Sequence, residues 1–175
     1  MDERAGRGGA YSGGVGGVSG AFVVDTTSDP VVRMRTQRIG LTSFDLQAPI
    51  TEGRIELAGA GSRLRLMLDL ARVRVGNPLM QAAARALVGT EENSRLTFDA
   101  RSDPVDHLRF SGRAQAGDVI VPMDVAASVE GGTAPLALTL VGWARFTDVH
   151  IPLPGMSRVN TIELDVSATL TLLDA

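Results

Sequence analysis

From Thr161 to Leu172 the chain reads TIELDVSATLTL, and apolar and polar residues alternate without a break. Ile162, Leu164, Val166, Ala168, Leu170 and Leu172 fall on one side, opposed by Thr161, Glu163, Asp165, Ser167, Thr169 and Thr171. Successive side chains of a strand point to opposite faces, so a period of two means one dry face and one wet face. At ~3.4 Å per residue the stretch is roughly 40 Å long, about twice a usual strand. A strand of that length needs a large apolar interior to lie against.

The same period recurs along the chain. In SRLRLMLDLARVRV, Leu64, Leu66, Leu68 and Leu70 oppose Arg63, Arg65 and Asp69. Gly20 to Thr26 sets Phe22 and Val24 against Val23 and Asp25; after the turn-like SDP, Val32 and Met34 oppose Arg33 and Arg35. A looser extended stretch from Ile39 to Ala48 is expected to end at Pro49, because proline removes a ladder donor. Ile55 with Leu57, Leu96 with Phe98, and Leu108 with Phe110 mark further inward faces. Val119, Val121, Met123 and Val125 form the second arm of a hairpin turning at Ala116-Gly117-Asp118. Trp143 shares a face with Arg145 and Thr147, but Gly142 could host a bulge, so both orientations of the tryptophan stay open. One segment departs from the pattern. GNPLMQAAARALVG has Asn77 as N-cap, Pro78 at the first helical position and Gly89 as a stop, with Leu79, Met80, Ala83 and Leu87 at helical spacing.

Eight to ten strands, one short α-helix and no βαβ rhythm predict an all-β protein. Long one-sided strands favour an elongated antiparallel lipocalin-like β-barrel of about eight strands, because closure removes exposed edges. A packed sandwich is the alternative. Five Phe, one Trp and one Tyr leave the interior to Leu, Val, Met and Ala, so an elongated cavity is expected. Residues 1–19 are expected to be a flexible glycine-rich tail and 20–175 a single barrel domain. The glycines precede a strand, and Ser19 stands where the third glycine of a dinucleotide fingerprint from Gly14 and Gly16 would fall.

The order of these segments resembles the YceI-like family of lipocalin-fold, polyisoprenoid-binding proteins. GAFVVDTTSDPVVRMR is similar to that family's first hairpin, and EGRIELAG to a later hairpin arm. SRLRLMLDLARVRVGN, the helical insert and SRLTFDA follow its strand, helix, strand sequence. LRFSGRAQAGDVIVPMDVAASVE carries Gly112, Gly117, Pro122 and Val125 where the family's next hairpin has its glycines, proline and valine; VNTIELDVSATL is similar to its final strand. The resemblance spans about Gly20 to Leu172 and implies a long apolar barrel that takes up an isoprenoid quinone or related lipid, with no cofactor required.

Chemistry is sparse by comparison. No cysteine is present, which removes disulfides, thiol nucleophiles and thiolate metal sites. A net charge of −3 gives no general attraction to nucleic acid. All seventeen basic residues are arginine; a high-GC genome is one explanation and an arginine-based ligand site the other, and nothing clusters the arginines enough to favour the site. His107, beside Asp103 and Asp106, is expected on the outer face with Arg109. His150 shares a face with Asp148 in a proline-bracketed loop, where it could be a solvated rim residue, touch a ligand head group, or act as a catalyst. No catalytic or metal-binding motif stands out. The ligand-binding residues expected are Met34, Leu64, Leu66, Leu68, Phe98, Phe110, Val121, Met123, Trp143, His150, Leu164 and Val166, with Phe44 and Arg38 as further candidates at the mouth. The expected function is sequestration of a long apolar small molecule without covalent chemistry; the alternative is a barrel cyclase or isomerase of a polyketide or terpenoid intermediate. No apolar run approaches the ~20 residues of a membrane helix, and the first twenty residues lack a signal peptide's apolar stretch. The expectation is a cytoplasmic protein with a hydrophobic small-molecule partner; a homodimer is compatible with it.

Overall fold

The computed structural model describes residues 18–37, 43–59, 61–76, 94–149 and 159–175. Their strands, in chain order, are β1 (Gly20–Val24), β2 (Val31–Thr36), β3 (Asp45–Leu57), β4 (Arg63–Asp69), β5 (Arg74–Val75), β6 (Arg95–Ser102), β7 (Arg109–Ala116), β8 (Val119–Glu130), β9 (Leu136–Val149) and β10 (Val159–Asp174). Strands β2, β3, β4, β6, β7, β8, β9 and β10 pair antiparallel in that order, and β10 returns to β2. The result is a closed eight-stranded barrel. Its longest seam joins β10 to β9, from Val159 opposite Val149 to Leu172 opposite Leu136.

β1 and β2 do not form the hairpin that the resemblance suggested. Both lie in one lane between β3 and β10: Val23 pairs with Arg54 and Leu173, and Met34 pairs with Leu46 and Val166. The turn residues of DTTSDP bend this lane and do not reverse it. Asp25 Oδ1 accepts from Thr27 N–H at 3.0 Å and from Thr27 Oγ1 at 2.6 Å, closing a single 3₁₀ turn over Thr26–Ser28. Asp29 then takes a left-handed conformation at φ 50°, which aspartate tolerates better than most residues.

β3 also runs on through Pro49, where an end was expected. Adjacent N–H groups of a strand point to opposite sides, and Ile50 N–H reaches Pro30 O at 2.9 Å. The donor missing at Pro49 therefore faces the end of β4, which is already leaving the sheet. Just beyond, Ile50 pairs with Leu68 and Glu52 with Met67, leaving Thr51 as a bulge. Thr51 and Glu52 both face solvent, so the inward set passes from Ala48 and Ile50 to Gly53, Ile55 and Leu57.

Register also decides Trp143. Gly142 pairs with both Val125 and Val166, with no bulge, so Trp143 points outward and is 52% exposed. The expectation that it lines the interior is corrected. Glycine is needed at 142 for another reason: a Cβ there would collide with the Asp124 carbonyl oxygen and the Val125 side chain. His107 does not sit on the outer strand face either. It lies in the β6–β7 turn, partly buried, with Nδ1 shielded from solvent and without a hydrogen-bond partner among the described residues.

The two ends of the barrel differ. At one end lie the β3–β4, β6–β7 and β8–β9 turns. Ile55, Leu64, Phe110, Leu136, Leu138 and Leu172 are fully buried there and form a solid base. Ser62 locks this end: its N–H donates to Ser102 Oγ at 2.8 Å, and Ser102 N–H returns to Ser62 O at 2.9 Å. At the other end the chain passes from β2 to β3, from β4 through β5 to β6, and from β9 to β10, by three long connections over 37–44, 70–94 and 150–158. The expected helix from Asn77 to Gly89, Arg38, His150 and the glycine-rich stretch up to residue 17 lie outside the described residues.

Candidate functional site

Inward positions of the barrel are apolar as far as Thr36 at the rim, but they are not equally large. β7, β9 and β10 place alanine at 114, 144 and 168 where neighbouring strands place Leu, Met or Phe. Filling therefore falls short in the half of the barrel nearer the long connections. An interior cavity of about 60 Å³ lies there. Every described residue lining it is apolar. Leu66 and Leu68 of β4, Phe98 of β6, Met123 of β8, Met34 of β2, and Leu164 with Val166 of β10 all contribute.

These seven are among the contacts expected from the sequence, and the fold brings them together. Leu64 and Phe110 face the same way, but both have 0% exposure and belong to the base beneath the cavity. Val121 is buried on β8 without lining the cavity. Trp143 is on the outer wall, and His150 lies outside the described residues. Sequence reasoning passed over Ala114, Ala144 and Ala168 as lining. Their small size was visible in the alternation, but the level at which they meet was not.

Polar groups gather at the rim above the cavity. Thr36 is buried and exchanges two hydrogen bonds with half-buried Phe44: Thr36 N–H to Phe44 O at 2.9 Å, and Phe44 N–H to Thr36 Oγ1 at 2.8 Å. Just outside, Arg35 Nε meets Asp45 Oδ1 at 2.7 Å. That hydrogen bond holds the Asp45 carboxyl below its ordinary range and raises Arg35. Among the described residues no group of three or more His, Asp or Glu could hold a metal ion.

This arrangement can desolvate an apolar group and surround it with dispersion contacts; among the described residues its lining carries no acid or base. No protein-family model matches the chain, and no curated protein matches its sequence. Among solved structures the chain is similar to BcnA of Burkholderia cenocepacia, with a TM-score of 0.50 and 14% identity, over 83% of this chain and 98% of that one. The chain folds as a lipocalin-like barrel. The likeness is one of fold. Among the described residues no helix is long and apolar enough to cross a membrane.

Proposed function

We propose that the barrel binds a slender apolar molecule, the tail of an isoprenoid, a quinone or a related lipid, and holds it away from water. One observation carries this reading: a cavity whose described lining is wholly apolar lies above a solid base and on the side of the three long connections. A volume of about 60 Å³ is roughly twice the ~30 Å³ share of one liquid water and well under the ~150 Å³ that admits benzene. A chain can enter such a space more readily than a ring. A longer tail gains room by displacing Met34 and Met123, whose unbranched side chains rearrange easily. Each Å² of apolar surface withdrawn from water favours the complex by about 25 cal/mol before the cost of association. Because the described lining residues offer a bound chain no proton donor or acceptor, they favour carriage over turnover.

The test pairs mass spectrometry of organic extracts of the purified protein with titration by a fluorescent fatty-acid analogue. The expected result is one saturable site that Ala144→Leu with Ala168→Leu abolishes by filling the cavity. Empty extracts together with no saturable site, or unchanged binding in the filled variant, would overturn the reading.

A further inference from the structure

Strand alternation sorts the arginines of the described strands as it sorts the core. On the outer faces of β3, β4, β6 and β7 it gathers Arg54, Arg63, Arg65, Arg101 and Arg113 around one surface depression of about 710 Å³. The depression reaches half-buried Gly112, where no side chain can stand: a Cβ would run into the backbone of Asp99 and Ala100. Cross-strand register then places like charges side by side. Arg54 is directly opposite Arg65, and Arg63 is directly opposite Arg101. Opposed like charges destabilise a sheet; the two carboxylates of this face offset part of that, Glu56 lying opposite Arg63 and Asp99 between Arg65 and Arg113.

Only two carboxylates share the depression. Glu56 approaches Arg54 at 3.4 Å and Asp99 approaches Arg65 at 3.5 Å, both long contacts between exposed side chains. Arg63, Arg101 and Arg113 make no ion pair among the described residues. Five guanidinium groups against two carboxylates leave a surplus of three positive charges, on a chain whose net charge is −3.

We propose that this outer face is an anion site for a di- or polyphosphate group. Guanidinium forks match phosphate oxygens in pairs, and Arg63 and Arg101 are direct cross-strand partners on this face. A phosphate monoester carries about −1.5 to −2 at neutral pH, so two linked phosphates balance the local surplus where one carboxylate does not. The site lies on the barrel wall, away from the end with the long connections, and does not depend on what the cavity holds.

The experiment uses the full chain at low salt. Tripolyphosphate is titrated by calorimetry, and vesicles of phosphatidic acid are compared with vesicles of phosphatidylcholine by co-sedimentation. The expected result is saturable binding that weakens at least ~10-fold in Arg63→Gln with Arg101→Gln and is unchanged in Arg33→Gln, an exposed arginine elsewhere on the wall. Tripolyphosphate binding assigns the site to a soluble phosphate compound. Binding to phosphatidic acid vesicles alone, whose head group carries a single phosphate, would overturn the di- or polyphosphate assignment. Binding to neither, equal loss in Arg33→Gln, or equal competition by polyglutamate would overturn the proposal. Thermal melting of each variant establishes that it is folded.

Discussion

Arg145 lies over the indole of Trp143, its guanidinium carbon 5.7 Å from the ring centroid, while Nη2 donates to Glu163 Oε1 at 2.6 Å. The two residues share the outer face of β9, and an exposed cation–π contact of this kind contributes about 0.5–1 kcal/mol. The only tryptophan therefore reports on the wall and not on the cavity. Its emission is expected at the long wavelength of a hydrated indole, with ready quenching by neutral acrylamide that increases in Arg145→Ala. Saturating the interior with an apolar dye should leave the emission maximum in place. A blue-shifted, protected emission would contradict the outward register.

Gly112 and Gly59 should respond oppositely to alanine. At Gly112 a Cβ would come within 2.6 Å of the Ala100 Cα and closer still to the Asp99 carbonyl oxygen. Backbone cannot yield as a side chain does, so Gly112→Ala should cost about 1–3 kcal/mol, the range of overpacking. Gly59 has open space around its Cβ direction, and Gly59→Ala should be neutral or stabilise by up to ~1 kcal/mol through the unfolded chain. Urea unfolding of the two variants measures the contrast.

Periodicity made the barrel legible because every strand carries its own inward face, from Phe22 and Val24 to Leu170 and Leu172. What it could not supply is anything set across strands. DTTSDP holds the same turn residues whether a chain reverses or kinks, and only the shared partners β3 and β10 show that it kinks. Leu64 and Leu66 are two residues apart on one face, yet one belongs to the base and the other to the cavity, because depth follows from register. The parity of Trp143 was open until Gly142 was seen to pair without a bulge. The arginine cluster was hidden for the same reason: Arg63 and Arg101 are far apart in sequence and directly opposed in the sheet.

Asp103 ties the β6–β7 turn to acid stability. Its carboxylate accepts from Val105 N–H at 2.7 Å and Asp106 N–H at 3.1 Å, and these bonds hold its pKa below the ordinary range. A depressed folded-state pKa means stability that is present above the unfolded value of about 3.9 and is lost as pH falls through the folded value. Asp103→Asn keeps an acceptor but cannot titrate. The expected outcome is a shallower loss of stability below about pH 4 than in the parent chain, measured by thermal melting against pH. An identical acid limb in both proteins would remove Asp103 from the account.

The base and the cavity half should differ in how they tolerate substitution. Leu64 and Phe110 are fully enclosed, so Leu64→Ala should cost about 2–5 kcal/mol and Phe110→Ala about 3–5 kcal/mol, each leaving a void in a region that cannot collapse. Met34 and Met123 border space that is already open, and Met34→Leu or Met123→Leu should cost less than about 1.5 kcal/mol. Equilibrium unfolding gives both sets of values, and titration with the fluorescent fatty-acid analogue separates their consequences. Base variants are expected to lose stability while their remaining folded population binds as before. Methionine variants are expected to stay stable while affinity changes, because branched leucine yields less readily than methionine to an entering chain. Equal stability losses in the two sets would mean that the upper half is packed as tightly as the base, and the barrel would then have no interior to offer.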